Sequence, residues 1–431
     1  MASGSRPRGA RKRKRDHGST RRTRPGREGS ERSLAAGLGE LAAEIVEQAL
    51  GFAAELESAE EAEQCASTLV ALWERPEWEL PAEVSTGLGI AVVSRLARAG
   101  DRRALTILRA LAVVAAEPVD RLADAAADGL AAEGLDGPAW LDAVGAAKPV
   151  RAVLMRERVY DDGLSVLVEL SRPDSTRGAF GVYVDHNLGV MAKDILLAPS
   201  IAEVETLTAK AGEESIEFEP TSLGDAAARI LAALELTEMT LDPPVSEDFR
   251  AYRAYVTAQV LRMPLDAEPP AWPEVSEGER EGLVADFLAS PEGARHGDDA
   301  DALDLATLAV DFCADYVDGR PLRWSPTVVE LFMCDWLPRK VVMEEGFFER
   351  VPELLGDWIR FAGARRGTAP DAIEETVASV ARWREEMLES VGDPGRFGPG
   401  KLFALEAARD GVDLANPDAL AEYVERRNRA A

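Results

Sequence analysis

The stretch LSVLVELSRPDSTRGAFGVYVDHNLGVMAKDILL, residues 164–197, decides the fold class, because here the apolar period changes from 3.6 to 2. Leu164, Val166, Val168 and Leu170 fall on one face of an extended segment, and Phe180, Val182, Val184 and His186 on one face of the next. Asn187-Leu188-Gly189 has the length and closing glycine of a three-residue hairpin loop, with VMAKDILL as the returning strand. SIAEVETLTAKAG then reads as a helix capped by Ser200, and SIEFE as a last strand. The spacing predicts a small α+β module with a short antiparallel sheet over 148–220.

On both sides the period is helical. Five helical segments fill 33–147, punctuated by Gly100-Asp101 and Glu117-Pro118, and they share no clean repeat. A helical pair is expected over 221–263, a Pro-rich linker over 264–275 and a C-terminal helical domain over 276–431. The expected fold is mainly α with a small α+β module, helical domains flanking the sheet.

Charge divides the chain. Its formal net charge is −28, yet residues 1–32 hold 12 of the 49 Lys and Arg and 3 of the 77 Asp and Glu. That composition predicts a disordered basic tail on an acidic body. Arg11, Lys12, Arg13, Lys14, Arg15, Arg21, Arg22 and Arg24 are its candidate phosphate contacts. Without aromatic residues to stack on bases, nucleic-acid binding through the tail is expected to be weak and non-specific. The competing expectation is that the tail lies against its own acidic surface or serves as a cationic spacer. The acidic body disfavours phosphate backbones and anionic membranes and favours cationic partners.

Cys65, Cys313 and Cys334 form no CxxC pair, and His17, His186 and His296 are scattered, so neither a zinc site nor a disulfide framework is expected. A thiol-poor chain suits a reducing cytoplasm. No apolar h-region follows the basic start, and no run approaches the ~18 apolar residues of a membrane span. Arg outnumbers Lys 42 to 7, the mark of a GC-rich bacterial genome.

Three stretches could carry chemistry. VDHNLG brings together Asp185 and His186, the candidates for catalysis; a strand-end histidine beside a turn is the reading preferred over a catalytic or metal role. On the hairpin register Asp194 lies too far along its strand to pair with His186, and Asp185 and Lys193 share a polar surface. In DALDLATLAVDFCADYVDG, Asp304, Asp311, Asp315 and Asp318 line one helical stripe on a helix apolar nearly all round. The stripe is expected to be a buried ion network with Arg323 and Arg339, Arg320 and Lys340 being nearby, and not a metal site. The next helix has Ser325 as N-cap, Pro326 at its first position and Pro338 beyond its end. GRFGPGKL, 395–402, falls short of a P-loop, because Leu402 replaces the hydroxyl and a helix precedes it; a turn opening a helix at Pro399 is expected.

No G-x-S-x-G, H-E-x-x-H, S-x-x-K or strand-borne G-x-G-x-x-G occurs. VDHNLGVMAKD, LRWSPTVVELFMCDWLPRK and WIRFAGARRG resemble stretches of a family of uncharacterised proteins from GC-rich bacteria, over much of 150–431. The resemblance implies no activity and no functional residues. The expectation is a cytoplasmic, non-enzymatic interaction protein without cofactor or metal, engaging an unknown protein partner. The alternative is an enzyme with its pocket between the α+β module and the C-terminal helical domain. Buried Asp and His side chains converging on a cleft would mark the enzyme; His186 at a hairpin end with no pocket would mark the binding module.

Overall fold

A computed structural model of the chain describes residues 25–430 apart from 77, 174–175, 298, 344 and 414–415; of 25–36, 345, 417 and 430 it describes the backbone alone. The eight candidate nucleic-acid residues, Arg11 to Arg24, lie outside the described residues. The first helix, α1, runs Pro25–Ala53, eight residues ahead of the expected onset of order at Ser33. A proline at the first helical position costs no hydrogen bond, so the helix can start there.

Four further helices complete the N-terminal body: α2 (Ala59–Val70), α3 (Ala82–Ala99), α4 (Arg102–Val114) and α5 (Val119–Ala132). Each boundary has a local cause. The Asp101 carboxylate accepts from the Ala104 N–H at 2.9 Å, and Gly100, at φ 61°, ends α3 in the left-handed conformation that glycine adopts without strain. Leu69, Trp73, Leu96, Ile107, Leu108 and Leu111 form the core these helices share.

The sheet has five antiparallel strands in the order β4-β3-β2-β1-β5: β1 (Lys148–Glu157), β2 (Gly163–Ser171), β3 (Arg177–Asp185), β4 (Met191–Ala198) and β5 (Ile216–Thr221), with α6 (Ile201–Ala211) before the last. Val166 opposes Val182 and Val168 opposes Phe180, so the alternation read from the sequence faces one core. Helices α7 (Leu223–Met239) and α8 (Glu247–Val260) cover that face through Ile230, Ala233, Val256 and Val260. Ile201 and Val204 of α6 cover the other, against Val153 and Leu167. The expected helical pair thus shares the core of the sheet.

The C-terminal body comprises α9 (Glu277–Ala289), α10 (Pro291–Ala294), α11 (Ala300–Phe312), α12 (Pro326–Glu330), α13 (Leu337–Lys340), α14 (Glu345–Arg366), α15 (Pro370–Gly392), α16 (Pro399–Arg409) and α17 (Pro417–Ala430). Phe287, Phe312, Phe332, Trp324 and Trp358 dominate its core. Wide π-type turns at Cys313–Val317 and Leu331–Trp336 follow α11 and α12. The second carries the helix on through Pro338 to Lys340, which corrects the expected end before that proline. A π turn shifts the hydrogen-bond ladder by one residue, and a proline lacking an N–H is tolerated beside it.

Polar joints fix the bodies to one another. Between α2 and α8, Ser67 Oγ donates to the Ala251 carbonyl at 2.7 Å and accepts from the Tyr255 N–H at 3.0 Å. Glu63, fully buried, accepts from Gln259 Nε2 at 2.9 Å and from the Gly145 N–H at 2.8 Å, while Arg172 meets Glu60 at 2.9 Å. Burial pushes the Glu63 carboxyl above its usual range, against the Gly145 hydrogen bond and the Arg172 charge. No helix among the described residues is long and apolar enough to cross a membrane.

Candidate functional site

The second joint gathers the residues that looked functional. On the sheet side, the turn before β2 places Asp161 in the left-handed region at φ 55°, which aspartate tolerates. Gly163 follows because a Cβ there would come within 2.5 Å of the Tyr183 phenol oxygen. At the far end of β3 the Asp185 carboxylate accepts from the Asn187 N–H at 2.8 Å and from Lys193 Nζ at 3.1 Å. Those bonds wind His186–Leu188 into a tight 3-10 turn. Asp185 opposes Met191 in the register, so the loop has five residues and not the expected three. Gly189 (φ 78°) and Val190 (φ 64°) both take left-handed conformations to close it.

The other side of the joint comes from the turn after α11. Arg323, 1% exposed, donates from Nε to Asp318 at 2.7 Å, from Nη1 to Asp162 at 2.8 Å and from Nη2 to the Asn187 side-chain oxygen at 2.9 Å. Arg320 pairs with Asp318 and with Asp161. The rigid guanidinium fork is what lets one residue hold acceptors from separate loops. Burial opposes ionisation of Asp161, but Arg320 outweighs it and holds that carboxyl below the usual range.

His186 is buried within this lattice. Its Nδ1 lies 2.9 Å from the Asp161 carbonyl and 3.2 Å from Arg320 Nη2. The carbonyl can only accept and the guanidinium can only donate; the shorter contact assigns the proton to Nδ1 and leaves Nε2 unprotonated. Burial is the main cause holding the imidazole pKa below its usual value, with Arg320 and Arg323 adding to it against Asp161.

The expected buried stripe is corrected. Asp311 and Asp315 pair with Arg280 of α9, and their side chains stay 41% and 48% exposed. Among the described residues Asp304 joins no ion pair, and Arg339 pairs with Asp335. Only Asp318 and Arg323 of the proposed network meet. Asp318 follows the π turn with non-helical backbone angles (φ −142°, ψ 18°), which takes it off the helical stripe. Asp185 is buried too, and not on an open polar surface. The near-P-loop is a helix-opening turn: Lys401 Nζ donates to the Pro338 carbonyl at 2.9 Å and sits over the Phe397 ring, with Pro399 at the first position of α16.

A cavity of about 320 Å³ adjoins the joint, between the sheet module and the C-terminal body. Leu164, Val184, His186 and Val190 line it from the sheet, Arg229 and Leu236 from α7, and Asp318 and Arg320 from the joint. The Pro270–Pro273 stretch of the linker forms a further wall. It is held there by close packing on Gly319, where a Cβ would meet the Pro273 carbonyl oxygen at 2.2 Å. Of the catalytic candidates His186 reaches the wall and Asp185 does not. Asp161, Asp162, Arg156, Arg229 and Arg280 escaped the sequence reading; the Asp161-Asp162-Gly163 turn signal was the available clue to the first two.

Among the described residues no three of His, Cys, Asp and Glu are grouped to hold a metal ion. Comparisons with protein-family models, curated proteins and solved structures give no match for the chain.

Proposed function

We propose that the chain is a cytoplasmic, non-enzymatic interaction protein: an acidic scaffold whose joints set three bodies in fixed relation and whose basic leader makes electrostatic contacts. One observation carries this reading. The acceptors that would do acid–base work at the second joint are already taken, Asp161 by Arg320, Asp162 by Arg323, Asp318 by both, and Asp185 by Lys193 and the Asn187 N–H. Proton transfer through any of them would first break the joint. The acidic surface favours a cationic protein partner.

A second reading, an enzyme, has in its favour the feature expected to mark one: buried His186 and Asp318 both reach the wall of a cavity. The two separate in one experiment on native lysate, using immobilised wild type, Asp185→Asn and His186→Gln. The scaffold reading expects a stoichiometric partner retained by all three at low salt and released at high salt. It fails if wild type consumes a lysate metabolite and His186→Gln, equally folded, does not.

A further inference from the structure

The cations around the cavity are not equal. Arg320 is committed to Asp161 and Asp318. Among the described residues Arg156 pairs with one carboxylate, Asp161 Oδ1, at 3.8 Å, and its Nε is buried without a hydrogen-bond partner. Among the described contacts Arg229 has no ion pair and no hydrogen bond, although it is only partly exposed. Burial, and then the charge of Arg156, push the Arg229 pKa down, which is the sign of two guanidinium groups sharing one space. Arg156 is thus left one distant carboxylate, and Arg229 has only the charge of Asp225 to set against its burial and Arg156. Leaving buried donors unmatched is costly and uncommon in folded proteins.

The remainder of the wall has the opposite character. Leu164, Val184, Val190, Leu236 and Trp272 are apolar, and Asp318 is neutralised by its two arginines. Val190 adds a second observation. A β-branched residue at φ 64° is strained, and such strain gathers at ligand sites. We infer that this cavity binds a small amphiphilic anion, its carboxylate or phosphate head between Arg156 and Arg229 and its apolar body against Val184, Val190, Leu236 and Trp272. The chemistry is that of a fatty or branched-chain acid or its phosphate-headed equivalent, since guanidinium forks match both heads. A volume of about 320 Å³ suits a small molecule. This goes beyond the scaffold reading and stands without it.

The test is calorimetric titration of the full chain with octanoate, octyl phosphate, octanamide and inorganic phosphate. One saturable site is expected for octanoate or octyl phosphate, at least about tenfold tighter than for octanamide or inorganic phosphate. The tighter of the two amphiphiles identifies the head. Arg229→Met should lose about tenfold or more in affinity with no fall in melting temperature, since it abandons no ion pair or hydrogen bond among the described residues; Arg229→Lys should recover part of the loss. Trp272→Ala, on the linker wall, should weaken binding without touching the charge. Octanamide binding as tightly as octanoate, inorganic phosphate as tightly as octyl phosphate, unchanged affinity in Arg229→Met, or no saturable binding of either amphiphile would each overturn the proposal.

Discussion

Replacing Arg323 by Met keeps most of the side-chain volume and removes the fork that joins the sheet module to the C-terminal body. Three hydrogen bonds of 2.7, 2.8 and 2.9 Å go with it, from a residue 1% exposed. Their partners fare differently. Asp318, 2% exposed, keeps Arg320; Asp162, with a side chain 25% exposed, regains water; the Asn187 oxygen is left buried. Breaking a buried pair costs about 3 to 5 kcal/mol, and the surviving Arg320 contact puts the expectation near the lower end, about 3 kcal/mol. Urea unfolding followed by tryptophan fluorescence and circular dichroism measures it. Asp311→Ala and Asp315→Ala serve as comparison, because their pairs with Arg280 are half exposed and worth about 1 kcal/mol or less. An Arg323→Met midpoint indistinguishable from wild type, or an Asp315→Ala loss of equal size, would refute the assignment of the joint.

Two further outcomes are expected. Because the folded imidazole of His186 has its pKa below the unfolded value of 6.5, the unfolded chain protonates first on acidification; the stability associated with that residue is complete above pH 6.5 and drains away as pH falls below it. Thermal melts of wild type and His186→Gln between about pH 7.5 and about pH 5.5 should therefore show wild type losing more, and parallel curves would contradict the burial argument. For the basic leader, labelled duplex DNA should bind the full chain at low salt with a steep salt dependence, at about 10⁻⁴ to 10⁻⁶ M at physiological salt, and a chain starting at Pro25 should not bind. Equal binding by both, or none at low salt, removes nucleic acid from its role.

What the sequence disclosed was local. The alternation at Leu164–Leu170 and Phe180–Val184 gave two strands because one side chain in two enters a single core. Ser200 and Ser325 marked helix starts because their hydroxyls accept from N–H groups three residues on. Strand β1 stayed hidden because it is central and buried on both sides: Ala152 and Leu154 face one core and Val153 the other, so no alternation remains. The joint was hidden for another reason. Arg320 and Asp161 are 159 positions apart, and Arg323 and Asp162 are 161 apart, so no spacing rule connects them. The carboxylate stripe misled because the π turn inside it has no pattern that a 3.6-residue period would reveal.

The arginines at the second joint divide by what they face. Arg320 and Arg323 bridge separate loops through saturated carboxylates, which is a structural task and costs stability when undone. Arg156 and Arg229 bridge nothing comparable, so packing gives no reason to keep two cations beside each other and beside an apolar wall. The two tasks are consequently separable although Arg320 shares the cavity wall with Arg156 and Arg229. Arg323→Met should lower stability while leaving the Arg156 and Arg229 end of the cavity chemically unaltered, and Arg229→Met should do the reverse, weakening anion binding at unchanged or higher stability. A cavity that merely fills space between two bodies would show neither half of that dissociation, because its arginines would then be interchangeable parts of one ion network.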